Sequence, residues 1–432
     1  MNVRYSCFME TSFILGVGVF ILSYAIIISE KVHRTVVALA GAALMVILGV
    51  INQEQAIEGV DFNTLGLLIG MMVIVDIAKY SGIFQYVAIW AAKVGKGKPI
   101  VVFVLLGAIT ALFSAVLDNV TTVLLMVPVT FVIANNLKIN PKPYLFGAIL
   151  LSNIGGTATL IGDPPNILIG SAAGLSFNDF LFNLGPAVLL VGIVTLAILY
   201  FWYRKELVTS PEAQARIMKF NPRDAITDKS LLIKSLIVIG LVLIGFITHN
   251  ITHFEGATIA LAGAALLLIL TMNEPDHHFK NAEWTTIFFF IGLFILVSGL
   301  EHIGAIGFLA EKLLDATQGN MVSTTLVVLW GSAVLSAIVD NIPFVATMIP
   351  LIKDIGAISG LALGPLWWAL ALGADIGGNA TLIGASANVV VSGMAEKEGH
   401  RIGFVEYMKV ALPLTFIGMI ICTAYVYWRY LV

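Results

Sequence analysis

Ile154-Gly-Gly-Thr-Ala-Thr-Leu-Ile-Gly162 returns, with one residue changed, as Ile376-Gly-Gly-Asn-Ala-Thr-Leu-Ile-Gly384, 222 residues further on. Working outward from these two stretches, the same offset of 222 recurs. Asn166 answers to Asn388, Asp118-Asn119 to Asp340-Asn341, and Pro128 to Pro350. Ala38-Leu-Ala-Gly-Ala-Ala-Leu44 answers to Ala260-Leu-Ala-Gly-Ala-Ala-Leu266. Thr35–Gly170 therefore maps onto Ala257–Ser392 without a gap. A shared register of this kind is the signature of an internal duplication. It divides the chain into repeat 1 (residues 1–203), a polar linker (204–230) and repeat 2 (231–432).

Composition decides the solvent. The chain is 432 residues long, 59% hydrophobic and 11% charged, against roughly 25% charged for a soluble domain. A water-soluble protein of this length cannot hide that much apolar surface. Uncharged runs close to the roughly 20 residues that span a bilayer recur at Ser12–Ser29, Thr35–Ile51, Leu184–Tyr203, Ser235–Thr248 and Val410–Trp428. The short alternating segments of a membrane β-barrel are absent. The first run lacks the basic flank and small-residue cleavage pattern of a signal peptide and reads as a retained helix. The net charge of −3 gives no footprint for nucleic acid. Cys7 and Cys422 sit at opposite ends and form neither a metal site nor a disulfide framework.

Breakers and charges give the plan of one repeat. Helices are expected at about Ser12–Ser29, Thr35–Ile51 and Asn63–Tyr80, then a connecting segment with Lys93, Lys96 and Lys98. An apolar run from Ile100 is interrupted at Asp118-Asn119-Val-Thr-Thr and resumes to about Asn135. That turn has no Gly, Pro or Lys, which suits the tip of a re-entrant hairpin held inside protein. Tyr144–Leu151 is apolar, Asn153–Asn166 is rich in Gly, Thr and Pro, and Leu184–Tyr203 closes the repeat. The fold class that follows is an all-α polytopic membrane protein. Each repeat crosses five times and adds a re-entrant hairpin and a broken helix. An odd number of crossings turns the second repeat upside down. With the N-terminus outside, 19 of the 23 Lys and Arg residues fall on the cytoplasmic side and 4 outside, as the positive-inside rule requires. The linker is then cytoplasmic, and a plasma (inner) membrane is the expected location.

The chemistry is expected at the breaks. Asp118, Asp163, Asp340 and Asp375 place carboxylates inside apolar sequence, where each costs roughly 2.5–3.5 kcal/mol on insertion scales and is functional by default. Gly155-Gly156, Gly162 and Pro164-Pro165 are expected to unwind the helix, freeing carbonyls for a cation and helix N-termini for an anion. The candidate substrate and ion-binding set is Asp118, Asn119, Thr121, Thr122, Asn153, Gly155, Thr157, Thr159, Gly162, Asp163 and Asn166 in repeat 1. In repeat 2 it is Asp340, Asn341, Asp375, Gly377, Asn379, Thr381, Gly384, Ser386 and Asn388. Na⁺ is the metal considered, at Asp118, Asn119, Asp340 and Asn341. The blander readings are glycines for close helix packing, aspartates as helix caps and threonines bonded back to their own helices. No catalytic residue and no histidine ligand is expected.

Asp118-Asn119-Val-Thr-Thr, Asn153–Asn166, Asp340-Asn341-Ile-Pro-Phe and Gly377–Asn388 together resemble the ion-transporter superfamily of arsenite permeases, NhaD-type Na⁺/H⁺ antiporters and citrate-type carriers. Within it they are most like the P protein (pink-eyed dilution) subgroup. The resemblance implies two hairpins, two broken helices, a homodimer and an elevator-like transport domain. It also implies a site formed by Asn119, Asn341 and the Gly-Thr loops. The superfamily's dicarboxylate carriers have Ser-Asn-Thr at the tips, where this chain has Asp118-Asn119 and Asp340-Asn341, which points away from carboxylates.

The expected function is a secondary active transporter coupled to H⁺ or Na⁺, with Asp118 and Asp340 exchanging the cation. The four motif aspartates have no Lys or Arg among their motif neighbours, so a dianion would be repelled. A small cation or a neutral oxyacid such as undissociated arsenite is favoured over a Na⁺-coupled carboxylate or other anion. A channel and an intramembrane aspartyl protease are the rivals from other classes. No phosphate-binding loop of the Gly-x4-Gly-Lys-Ser/Thr type is present, so ATP-driven pumping would need a partner ATPase. No cofactor is expected.

Overall fold

A computed structural model describes residues 2–29, 31–272 and 274–432, with side chains from Thr11 onward; the side chain of Cys7 lies outside the described residues. Among these residues there are helices and no strand. In the first half they are α1 (Asn2–Ser29), α2 (Arg34–Ile47), α3 (Phe62–Lys79), α4 (Ile83–Val94), α5 (Pro99–Ser114), α6 (Asn119–Leu137), α7 (Lys142–Gly156), α8 (Pro164–Ala173) and α9 (Gly185–Tyr203). The second half has α10 (Lys229–Ile247), α11 (Gly256–Thr271), α12 (Trp284–His302), α13 (Ala305–Thr317), α14 (Met321–Ser336), α15 (Asn341–Ser359), α16 (Gly364–Gly377), α17 (Ser386–Lys397) and α18 (Phe404–Val426). The starts of α2 through α8 precede those of α11 through α17 by 222 residues each. Eight helices among the described residues are long and apolar enough to cross a bilayer. They include α1, α9 and α10, whose flanks are mostly unburied, as for helices that face lipid.

The contacts duplicate under the same offset. α2 packs on α12 and α3 on α11; α5 packs on α7 and α14 on α16; α6 packs on α17 and α15 on α8. Small residues set the first of these approaches. A Cβ added at Gly70 would meet the Ala260 backbone at 2.5 Å, and one at Gly292 the Ala38 backbone at 2.6 Å. These are the repeated Ala-Leu-Ala-Gly segments, and with no side chain between them the helix backbones touch.

α7 and α16 are buried on every face from Pro143 and Leu366 onward. A helix that is apolar all round belongs in such a core. Two groups therefore form around the broken helices. α5–α8 and α14–α17 hold them, while α2, α3, α11 and α12 pack beside them.

One expectation changes. The segment carrying Lys93 is not a plain connector. α4 is an amphipathic helix, with Phe84, Ala88, Ala91 and Ala92 buried and Lys93 in its last turn, where the helix dipole favours a cation. The chain then turns through Lys96 and Gly97 at φ 53° and 63°. The linker is also structured. It contains a helix, Pro211–Lys219, and a short 3-10 turn, Pro222–Ala225. It is tied back by the Thr227 N–H to the Ser81 carbonyl at 3.1 Å and by Thr209 Oγ1 to the Leu137 carbonyl.

Candidate ion and substrate site

Two short turns, 115–118 and 337–340, join α5 to α6 and α14 to α15. Each is bound to the loop of a broken helix. Thr159 Oγ1 donates to the Ala115 carbonyl and Thr381 Oγ1 to the Ala337 carbonyl, both at 2.6 Å. The Asn341 N–H donates to the Gly384 carbonyl at 3.2 Å.

The breaks are narrower than the sequence implies. Gly155 and Gly156 end α7 as helical residues, and Gly377 ends α16. They allow close approach: a Cβ at Gly155 would strike the backbone of Ala111, and one at Gly377 that of Ala333. The unwound stretches are 157–163 and, after a 3-10 turn at Gly378–Ala380, 381–385. Gly162 and Gly384 lie in them, against the backbones of Gly156 and Gly378.

The freed carbonyls are already occupied. Asn166 Nδ2 donates to the carbonyls of Gly156, Thr157 and Thr159 at 3.4, 3.3 and 3.0 Å. Asn388 Nδ2 does the same for Gly378 and Thr381 at 2.9 and 2.8 Å. Tyr407 Oη takes the Asn379 carbonyl at 2.9 Å. Unpaired buried backbone groups are costly, and two asparagines amide-clamp the loops in answer. Each of these carbonyls thus already accepts at least one side-chain hydrogen bond.

A buried amide–carboxylate network joins both tips and both loops. Asn119 Nδ2 donates to Asp163 Oδ2 at 2.7 Å and to Asn153 Oδ1 at 3.0 Å. Asn341 Nδ2 reaches Asp163 Oδ1 at 3.4 Å. Asn153 Nδ2 donates to Asn379 Oδ1 at 2.9 Å and to Asn388 Oδ1 at 2.8 Å. Asn119, Asn153, Asp163, Asn166, Asn341, Asp375, Asn379 and Asn388 are all at most 2% exposed. Asp163 thus receives a donor from each tip, across 178 residues of sequence for Asn341.

The two tip aspartates differ. Asp340 Oδ2 is 2.7 Å from Arg34 Nη1, which also donates to Ser386 Oγ at 2.9 Å. Ser386 Oγ in turn donates to Asp340 at 2.7 Å, and the guanidinium lies over the Phe289 ring at 4.9 Å. The absence of a basic partner inferred from motif neighbours therefore fails for Asp340, whose partner lies 306 residues away. Arg34 and Ser386 share Oδ2 of Asp340, while its Oδ1 accepts the Ile342 N–H at 3.1 Å. Asp118 caps α6 by accepting the Thr121 N–H at 2.7 Å, and it lines a cavity of about 240 Å³ with Thr121, Glu283, Arg34, Ser386 and the apolar faces of α3. Thr122 is buried with its hydroxyl unpartnered. Thr157 Oγ1 donates back to the Asn153 carbonyl at 2.8 Å.

Arg34 is the residue sequence reasoning missed. Its own segment shows it only as one of the basic residues that the topology puts on the cytoplasmic side. A second cluster stands apart from the tips. Asp76 on α3 binds Lys79 and accepts from His278 Nδ1 at 2.7 Å, with Asn281 Nδ2 at 3.4 Å.

A family described as "Citrate transporter" (CitMHS) matches residues 24–373. The chain is similar to a "46 kDa membrane protein" of Mycobacterium leprae, 42% identical over 97% of this chain and 99% of the relative. It is 41% identical to the "Uncharacterized transporter Rv2684" of Mycobacterium tuberculosis, over 97% of this chain and 99% of the relative. It is 33% identical to the "P protein" of Sus scrofa over 93% of this chain and 58% of that longer protein. Among solved structures, the MtrF efflux pump of Neisseria gonorrhoeae shares its fold, with a TM-score of 0.62 over 98% of this chain and 97% of MtrF at 11% identity. The YdaH transporter of Alcanivorax borkumensis gives 0.59 over 96% and 97% at 13% identity.

Proposed function

Because the chain belongs to the CitMHS citrate-transporter family, we propose that it is a secondary active membrane transporter, coupled to H⁺ or Na⁺, whose substrate enters the cavity beside Asp118, Glu283 and Arg34. The observation that carries this reading is the network centred on Asp163, which accepts from Asn119 of one tip and Asn341 of the other. A site shared by two repeats at their breaks suits alternating access about a fixed centre. In this reading α5–α8 and α14–α17 move as an elevator against α2, α3, α11 and α12. The second half runs inverted, the N-terminus lies outside, residues 204–230 are cytoplasmic, and the protein works as a homodimer in the plasma membrane.

The cavity favours a small ion or a neutral oxyacid. Its volume of about 240 Å³ suits a small solute and does not by size separate an oxyacid from a carboxylate. Its charged lining is two carboxylates, Asp118 and Glu283, against one guanidinium that is already paired with Asp340. A dianion would meet net negative charge there. A carboxylate substrate is the second reading, favoured by the family's description and by Arg34, the residue type suited to bidentate carboxylate binding.

The test is uptake into sealed liposomes with pH and Na⁺ gradients imposed separately, against arsenite, Na⁺, citrate with and without divalent cations, and chloride. Saturable, gradient-driven accumulation of arsenite or Na⁺ supports the first reading. Accumulation of citrate alone supports the second, and non-saturating flux without coupling overturns both.

A further inference from the structure

This inference rests on the transporter reading and names its coupling group. Under the 222-residue offset, Asp375 stands where the first half has Asn153, and Thr157 and Asn166 stand where the second half has Asn379 and Asn388. Asn153 uses its two amide hydrogens on Asn379 Oδ1 and Asn388 Oδ1. By the same correspondence the side chains expected opposite Asp375 are Thr157 and Asn166, and neither makes a hydrogen bond to its oxygens. Here the pattern lacks donors. Thr157 gives its hydrogen to the Asn153 carbonyl, and Asn166 Nδ2 is spent on three loop carbonyls. Both oxygens of Asp375 and Asn166 Oδ1 are consequently left without a hydrogen bond, and both residues are fully buried.

An ionised Asp375 would thus face another bare acceptor in a dry core, the arrangement that costs most. One proton removes the conflict. A protonated Asp375 donates its O–H to Asn166 Oδ1, as Asn153 donates its N–H to Asn388 Oδ1. We propose that Asp375 is the proton-carrying carboxyl of the transport cycle and that Asn166 Oδ1 accepts its O–H in the state seen here.

The surroundings tie the proton to transport. Asp163, at the N-cap of α8, is a neighbouring carboxyl that feels the charge of Asp375, and it is the one held by both tips. Two like charges sharing a buried shell resist joint ionisation. Loss of the Asp375 proton therefore loads the tip network with a second charge until a cation enters or the site opens to water. Few other titratable groups approach. Tyr407 on α18 is spent on the Asn379 carbonyl, and α14 carries no titratable residue. On α7, Lys142 pairs with Glu406 at 2.8 Å, at the far end, and Tyr144 is bound to the Pro99 carbonyl. On α15, Lys353 and Asp354 lie well beyond the tip. At the tips, Asp118 caps α6 and Asp340 is paired with Arg34.

The experiment uses the purified full chain in liposomes. Infrared difference spectra between wild type and Asp375→Asn, taken at neutral pH, are expected to contain the carbonyl band of a protonated carboxylic acid, lost in the variant. Asp375→Asn restores the donor pattern of Asn153 and is expected to unfold no more easily than wild type. Asp375→Leu strands Asn166 Oδ1 and is expected to unfold more easily than either. In uptake of the panel solutes, any response to an imposed pH gradient is expected to vanish in Asp375→Asn. Absence of the acid band from wild type, or a pH-gradient response surviving in Asp375→Asn, would overturn the proposal. The band is read with no substrate present, so its absence sinks this inference alone. A wild type that shows the band but moves no solute counts instead against the transporter reading.

Discussion

Replacing Arg34 by Met removes one positive charge and keeps an apolar stem of similar length against Phe289. The guanidinium supplies a charged hydrogen bond to Asp340 at 2.7 Å, a second bond to Ser386 at 2.9 Å and a cation–π contact at 4.9 Å. A hydrogen bond to a charged group contributes about 1.5–3 kcal/mol, and an exposed cation–π contact about 0.5–1 kcal/mol. Breaking a fully buried pair costs about 3–5 kcal/mol because a charge is stranded. This pair is only partly buried, at 30% and 13% side-chain exposure. Asp340 also keeps the Ser386 hydroxyl and the Ile342 N–H. Arg34→Met is therefore expected to destabilise the protein by about 2 kcal/mol. Asp340→Asn in the Arg34→Met background should recover part of the loss, giving a coupling of about 1 kcal/mol between the two sites. The assay is equilibrium unfolding in mixed micelles, run as a double-mutant cycle. A coupling indistinguishable from zero would refute the claim that Arg34 holds Asp340.

Three further outcomes follow from other parts of the molecule. Gly155→Ala and Gly377→Ala push a methyl group into the α5 and α14 backbones and should each cost about 2–3 kcal/mol, the upper end for overpacking. Gly192→Ala, whose new Cβ would sit 3.6 Å from Ile154 Cγ2, should be neutral or stabilising in the same unfolding assay. Asp76→Ala leaves buried His278 without its 2.7 Å partner and should cost about 1–3 kcal/mol, with Asp76→Asn costing less; equal losses would show that the carboxylate charge is irrelevant. For topology, cysteines at the exposed positions Lys205 and Asn250 should be respectively protected from and labelled by a membrane-impermeant thiol reagent applied to cells. The reverse pattern would turn the proposed orientation over.

The repeat offset carried most of the architecture, because helices begin at the same register in both halves even where the local signal differs. Asp118 and Asp340 cap α6 and α15 alike, whereas Pro99 opens α5 where Met321 opens α14, and Pro164 opens α8 where Ser386 opens α17. What the sequence hid was of two kinds. The segment ending in Lys93, Lys96 and Lys98 reads as a connector from its charges, although a 3.6-residue apolar stripe over Ile83–Val94 precedes them. Partners separated by hundreds of residues left no local trace, so Arg34 with Asp340 and Asp76 with His278 appear only once the chain is folded. The glycines were misjudged for a related reason. Gly155 and Gly377 looked like helix breakers, but a helical glycine facing another backbone serves packing, and the facing residue cannot be read from its own segment.

The amides of Asn166 and Asn388 bear on where a charge can be held. Each closes its own loop by donating to the loop carbonyls. That leaves the side-chain oxygens of the two asparagines as the groups that report on what stands opposite. Opposite Asn388 stands Asn153, and the network is satisfied. Opposite Asn166 stands Asp375, and it is not. The other departure from the repeat is Asp163, whose counterpart is Ala385. Both unduplicated carboxyls therefore occupy positions where the other repeat has a neutral residue. The doubled pair, Asp118 and Asp340, serves as helix caps in both halves. A residue kept in both copies answers a need that both copies share, which here is capping the tips. A residue present in only one copy answers a need of the whole site, and a single titrating group at the centre is such a need.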